Sequence, residues 1–217
     1  RIGKYVAYVR RGGDRINSAD LGNIPYSQIF ELAADPGNLR KIGRSESSDL
    51  AHWPEDPKIV LAYDQDDPVE SDHYNPCVIK YPYAPDVYLM FPSAFFHTSK
   101  KETGSDGALD IQLATSRDGV HWDRRERRPY VRLGIEGSAD GGSMYMTVGM
   151  LRQGAELWMY YTGYQARHGG YDFRKAKGLG VVSRLVQRLD GFVSADAAYD
   201  GGQLTTVPMV FEGKHLF

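Results

Sequence analysis

The sequence predicts an all-β fold, a β-propeller fragment of about three four-stranded blades. Two observations carry this. A seven-residue motif, Ser47-Ser48-Asp49-Leu50-Ala51-His52-Trp53, recurs without gaps as Ser116-Arg117-Asp118-Gly119-Val120-His121-Trp122, keeping Ser, Asp, His and Trp. Composition agrees: 15 Tyr, 24 Gly and 11 Pro in 217 residues pair strand-forming aromatics with turn formers. A strand-rich unit repeated at a long period points to stacked sheets, each burying its faces against its neighbours.

The elements follow in order. Apolar strand-like runs precede each motif copy, at Tyr5-Val6-Ala7-Tyr8-Val9 and Val87-Tyr88-Leu89-Met90-Phe91. A third run, Leu157-Trp158-Met159-Tyr160-Tyr161, precedes a degraded copy in which Val181-Val182-Ser183-Arg184 echoes Ala114-Thr115-Ser116-Arg117 and Asp190-Gly191-Phe192 echoes Asp118-Gly119-Val120. The three runs are expected to be equivalent strands. In the turn, Asp accepts backbone hydrogen bonds and Gly takes the positive φ of the bend. Trp53 and Trp122 are expected to pack each on its own sheet, and His52 and His121 to be structural. Tyr26 to Ala34 reads as an inserted helix stopped by Asp35-Pro36-Gly37. The polar segments Ser99–Leu109 and Gln165–Lys177 read as exposed loops. The units run roughly over residues 1–60, 70–130 and 138–195, and 203–217 starts another. Both ends of the chain are strand-like, so the sequence is expected to be an internal fragment whose partners include the remaining blades of a longer parent.

Charge and composition narrow the function. With 26 Lys+Arg against 28 Asp+Glu, the net charge of −2 argues against a nucleic-acid binder, whose affinity rests on neutralising phosphates. No apolar run approaches membrane-spanning length, so no membrane partner is expected. One cysteine, Cys77, excludes an internal disulfide and a zinc–cysteine cluster. Phosphate-loop, nucleophile-elbow and zinc-protease motifs are missing. The acidic run Asp64-Gln65-Asp66-Asp67 lacks the glycine and distal glutamate of a calcium loop. No metal or cofactor is expected. Arg124-Arg125-Glu126-Arg127-Arg128 reads as a solvated loop.

Carboxylates ahead of inner strands carry the candidate chemistry. Glu70-Ser71-Asp72-His73-Tyr74-Asn75-Pro76-Cys77 places Asp72 before one such strand. Glu136-Gly137-Ser138-Ala139-Asp140-Gly141-Gly142-Ser143-Met144-Tyr145 places Glu136 or Asp140 before the next. Paired carboxylates facing one cavity are what glycoside hydrolysis requires, one as proton donor and one as base or nucleophile. The catalytic candidates are therefore Asp72 with Glu136 or Asp140, and the spacing does not choose between the last two. His73, Tyr74, Tyr145 and His168 are the candidate substrate-binding residues, because flat rings stack on sugars and polar tips bond hydroxyls. Arg10, Arg44 and Arg174 are possible rim contacts.

At these residues a resemblance enters. The turn Ser116 to Trp122 resembles the blade turn of five-bladed propeller glycoside hydrolases of families 32 and 43. Gly3 to Arg10, Ser47 to Trp53, Arg188 to Ser194 and Pro208 to Leu216 resemble a bacterial family-32-like group. The resemblance implies a five-bladed parent with further blades ahead and a β-sandwich behind, acting on a carbohydrate substrate, with furanosides among the candidates. It also implies three carboxylates, one from each of three blades, acting as base or nucleophile, transition-state stabiliser and acid. Asp72 looks like one of these and Glu136 or Asp140 like another; the Asn-Asp-Pro and Glu-Cys signatures are absent. The alternatives are a carbohydrate-binding propeller without catalysis and an interaction scaffold.

Overall fold

The repeated turn folds as its chemistry dictates in both full copies. In the computed structural model, which describes residues 3–12, 39–68, 71–97, 107–168, 180–208, 210 and 212–213, Ser47 Oγ accepts from the Asp49 and Leu50 amides. Asp49 Oδ1 then accepts from the Ala51 and His52 amides, and Asp49 Oδ2 meets His52 Nδ1 at 2.8 Å. Ser116, Asp118 and His121 repeat every one of these bonds. Hydrogen bonds from the histidine hold both aspartates well below the usual carboxylate range. The positive φ falls on Gly119 at 73°, and on Leu50 at 67° in the first copy. In the third copy Asp190 takes it, at 62°, and its carboxylate accepts from the Tyr81 hydroxyl instead of capping the turn.

All elements among the described residues are strands. The expected helix at 26–34 lies outside the described residues. Each apolar run forms a strand paired antiparallel with the strand that leads into its turn. These pairs are β1 (Tyr5–Arg11) with β2 (Lys41–Ser47), β6 (Tyr88–Met90) with β9 (Ala114–Ser116), and β12 (Glu156–Tyr164) with β13 (Gly180–Arg188). The equivalence reaches single residues: Tyr5 faces Ser47, Tyr88 faces Ser116 and Tyr161 faces Ser183. β3 (Lys58–Leu61) completes the first sheet on β2.

The second sheet is built from long strands that each break once. β4 (Ser71–His73) and β5 (Val78–Lys80) pair with β7 (Ser93–His97) and β6. β7 in turn pairs with β8 (Gly107–Ile111), and the bridges Ile111–Val131 and Thr115–Asp123 add an outer edge. The break has a chemical cause. Pro76 and Pro92 have no N–H to donate, so the ladder cannot be continuous through them. Just before, the Tyr74 amide donates to the Ser93 carbonyl while the Ser93 amide donates to Asn75, so two residues oppose one in a β-bulge. Beyond the prolines the Phe91 amide resumes the ladder on Cys77, itself at a φ of 35°.

The third sheet sets β10 (Ser143–Met146) and β11 (Leu151–Gln153) against one side of β12, with β13 on the other. It joins the second sheet where Ser143 of β10 runs parallel beside Leu109 of β8, so that hydrogen bonding makes β4, β7, β8 and β10–β13 one seven-stranded sheet and leaves β5, β6 and β9 a separate three-stranded one across the break. The sheets are open: no pairing closes them on themselves among the described residues.

The second sheet is buried on both faces. Leu89 and Phe91 enter a cluster with Ile79, Ile111, Met144, Met146, Leu157 and Met159 toward the third sheet. Met90, between them in sequence, enters a cluster with Ile42, Leu61 and Ala114 toward the first. This explains why Val87 to Phe91 is a continuous apolar run and not an alternating one. Trp122 packs against the cluster that Met90, Ala114 and Val78 of its own sheet share with Ile42 and Leu61 of the first, edge-on to Tyr8 at 5.9 Å. Trp53 instead donates Nε1–H to the Leu50 carbonyl. Gly107–Leu109, expected in a loop, belong to β8.

Leu50 stands where its twin is glycine, and a left-handed conformation costs a side chain about 1 kcal/mol or more. Leu50→Gly should therefore stabilise the protein by about 0.5–1 kcal/mol after glycine's entropic penalty, read as a rise of about 1–4 °C in Tm. An unchanged or lower Tm would show that the turn holds leucine without strain.

Candidate functional site

Asp72 lies on β4 with its side chain almost wholly buried, 2% exposed. Burying a bare carboxylate is costly, so its charge demands partners. Oδ2 receives three donors: the Arg40 amide at 3.2 Å, Arg40 Nη1 at 2.9 Å and His97 Nε2 at 3.0 Å. Burial raises the carboxyl pKa, but His97 and Arg40 outweigh it and hold the group below the usual range. Asp72 is ionised at neutral pH. Its other oxygen, Oδ1, is likewise shielded from solvent and has no hydrogen-bond partner.

Side chains two apart on a strand share a face, and Tyr74 joins Asp72 on this side. Its ring meets His168 at 4.7 Å, Phe95 at 6.1 Å and Tyr145 at 6.1 Å between centroids. Arg10 of β1 lies over the same ring at 4.4 Å, and Arg40 at 5.2 Å. Tyr164, at the end of β12, closes on Tyr145 at 6.0 Å. The bulge sets this convergence. Asn75 Nδ2 and Ser93 Oγ donate to the Met146 and Met144 carbonyls, fixing β10, and so Tyr145, against the bulged strand.

His168 is pinned by its backbone, which exchanges two hydrogen bonds with Gly107, 3.0 and 2.9 Å long. Only glycine fits there: a Cβ would lie 2.2 Å from the Phe96 carbonyl and 2.4 Å from the Phe95 ring. Burial, with the positive charges of Arg40 and Arg10, lowers the His168 pKa and keeps the imidazole neutral. Its Nδ1 lies 3.0 Å from the Tyr145 hydroxyl, which burial pushes up to about 12.

The structure thus brings Asp72, Tyr74, Tyr145 and His168 together and adds Arg10, Arg40, Phe95, His97 and Tyr164. His73 does not join them. It is buried on the other face of β4, near Asp67 and Arg124, neither ring nitrogen makes a hydrogen bond, and burial lowers its pKa to about 4. Asp140 accepts from Ser138 Oγ at 3.0 Å and from the Tyr161 hydroxyl at 2.8 Å. Tyr161 lies on the face of β12 opposite Thr162 and Tyr164, so Asp140 faces away from Tyr145. Glu136 is exposed in the preceding turn. No hydrogen bond or ion pair among the described residues links either of these two to Asp72.

Two charged segments meet, and the reading of the arginine cluster as a solvated loop fails at Arg124. Asp64 and Asp67 accept from Arg124 and Arg127, so the acidic run is spent on ion pairs. Arg124 is accordingly buried with Asp67 instead of solvated, and also donates to Gln112. Sequence reasoning missed Asp110 altogether. It lies on β8 opposite Ala94, with Oδ1 unpartnered, and burial raises its pKa to about 7. The signal was its place in Ala108-Leu109-Asp110-Ile111, a carboxylate inside an apolar strand.

No protein-family model matches the chain, and no curated protein matches it. Among solved structures, a glycoside hydrolase matches at 15% identity and a TM-score of 0.48, over 83% of this chain and 40% of its own. A family-32 β-fructofuranosidase mutant from Bombyx mori, in complex with sucrose, matches at 16% identity and 0.47, over 88% and 33%. An N-acetylgalactosamine deacetylase from F. plautii, in complex with blood group B trisaccharide, matches at 17% and 0.45, over 86% and 47%. The chain spans less than half the length of each.

Asp110 generates a pH prediction. Its folded pKa lies above the unfolded value of about 3.9, so the folded state holds the proton more tightly. Its contribution is full below about pH 4, is lost as pH rises toward about 7, and then stays flat. Asp110→Asn should flatten this slope and raise stability above pH 7 by about 1–3 kcal/mol. Parallel pH profiles of Tm for the two proteins would contradict a buried, protonated Asp110.

Proposed function

We propose that this chain is part of a propeller-type glycoside hydrolase that cleaves a glycosidic bond, with a furanoside as one candidate substrate. In this reading the stretches 1–60, 70–130 and 138–195 are blades of a five-bladed parent, and 203–217 opens the next. The repeated Tyr–Ser register and the second sheet's two buried faces support stacked, equivalent sheets. One observation carries the functional reading: an ionised carboxylate is anchored through Oδ2 by three donors, keeps Oδ1 unpartnered, and is walled by Tyr74, Tyr145 and His168. An anchored anion of this kind suits a base, a nucleophile or a stabiliser of developing positive charge, and not the proton donor. The donor role then falls to Glu136 or Asp140, which would have to turn toward the cluster, or to a residue elsewhere in the parent.

A second reading has its own support. Asp140 is engaged by Ser138 and Tyr161 on the far face of β12. A single carboxylate among rings fits a site that binds sugar hydroxyls without cleaving a bond.

The test uses the full-length protein. Asp72→Asn should lower turnover of glycoside substrates by about 10²–10⁴-fold while sugar binding and the circular dichroism spectrum persist. A wild-type protein that binds sugars and cleaves none of a broad glycoside panel would make the binding reading the correct one. An Asp72→Asn enzyme with undiminished turnover would move the chemistry elsewhere.

A further inference from the structure

Among the described residues, one cation of this cluster has no counter-charge. Arg40 is matched by Asp72 at 2.9 Å. Arg10 is held by its stacking on Tyr74, 4.4 Å from the centroid, and makes no ion pair among the described residues. A cation–π contact fixes a guanidinium in place for about 0.5–1 kcal/mol at an exposed site, but it leaves the charge intact. Arg10 is exposed, so the charge is presented at the mouth of the ring cluster. Counted over the described residues, the two guanidiniums and one carboxylate leave the cluster with an excess positive charge, and their field also reaches His168, whose imidazole they help keep neutral.

A neutral sugar would use the rings and Asp72 Oδ1 and leave Arg10 idle. A sugar bearing a carboxylate would add a charge-assisted pair. The planar guanidinium matches a carboxylate with two parallel N–H···O bonds, and its position on Tyr74 means that little further ordering is required. We propose that the carbohydrate bound here is acidic, a uronic-acid-type glycoside whose carboxylate is received by Arg10. This rests on the reading of the Asp72 cluster as a sugar site.

Calorimetric titration of the full-length protein tests it, using methyl glucuronide and methyl galacturonide against methyl glucoside and methyl galactoside. These pairs differ only in a carboxylate for a hydroxymethyl group. At least one uronide should bind about tenfold or more tightly than its neutral counterpart. That preference should shrink as salt rises, because screening weakens an exposed charge pair. Arg10→Gln should abolish the preference and leave neutral-sugar binding in place, Arg10→Lys should retain part of it, and Arg152→Gln, at a distant cation, should retain all of it. Equal binding of acidic and neutral sugars overturns the inference while leaving the sugar site standing. So does a preference that survives Arg10→Gln, or displacement of the uronide by an equal concentration of inorganic sulfate, which would mark a general anion site. Binding of neither class of sugar overturns the inference together with the sugar-site reading.

Discussion

A buried carboxylate organises this molecule. Asp72 is ionised with its side chain 2% exposed, and such a group is tolerated only where donors replace its hydration. Those donors come from two directions. Arg40 gives both its amide and its guanidinium from the approach to β2, and His97 comes from the end of β7. The first and second sheets are thereby tied at the point where Tyr74, Phe95 and His168 converge. Loss of either donor would leave a charge in an apolar surround, so the positions of β2 and β7 are tied to the state of one oxygen. All three donors fall on Oδ2, which leaves the geometry of Oδ1 defined and its bonding capacity unspent.

The second constraint is the pair of prolines. Pro76 and Pro92 interrupt the second sheet's ladder, and the bulge at Tyr74–Asn75 takes up the register slip. The slip does two things at once. It turns Tyr74 toward the third sheet, and it frees Asn75 and Ser93 to donate to the β10 carbonyls, which carries Tyr145 into the same cluster. Bulges beside sites commonly re-aim a side chain in this way.

Much of the architecture was legible because it repeats. The Ser-x-Asp-x-x-His-Trp turn places its hydrogen bonds from local sequence alone, and the three apolar runs share one pairing register. What could not be read was any property set by contact between sheets. Trp122 faces Tyr8 because the neighbouring sheet supplies an apolar surface, which nothing local announces. Arg124 is buried because Asp67, 57 residues earlier, meets it. At the site, Asp72, Tyr74, Tyr145 and His168 were legible as polar and aromatic residues beside predicted strands. Arg40 and His97 were not, since they reach Asp72 across 32 and 25 residues of chain. His73 shows the reverse limit: adjacency in sequence to Asp72 suggested a shared role, yet neighbours on a strand point to opposite faces.

The central claim is that Asp72 Oδ1, buried and without a hydrogen-bond partner, is the bonding position a ligand takes up. It is tested most directly by an experimental structure of the full-length protein with a bound glycoside. The account predicts a sugar oxygen, or a water bridging to one, within about 2.6–3.2 Å of Asp72 Oδ1, with the sugar beside the rings of Tyr145 and His168 and the three donors still on Oδ2. A sugar bound elsewhere, with Oδ1 paired to a donor of the protein itself, would contradict it.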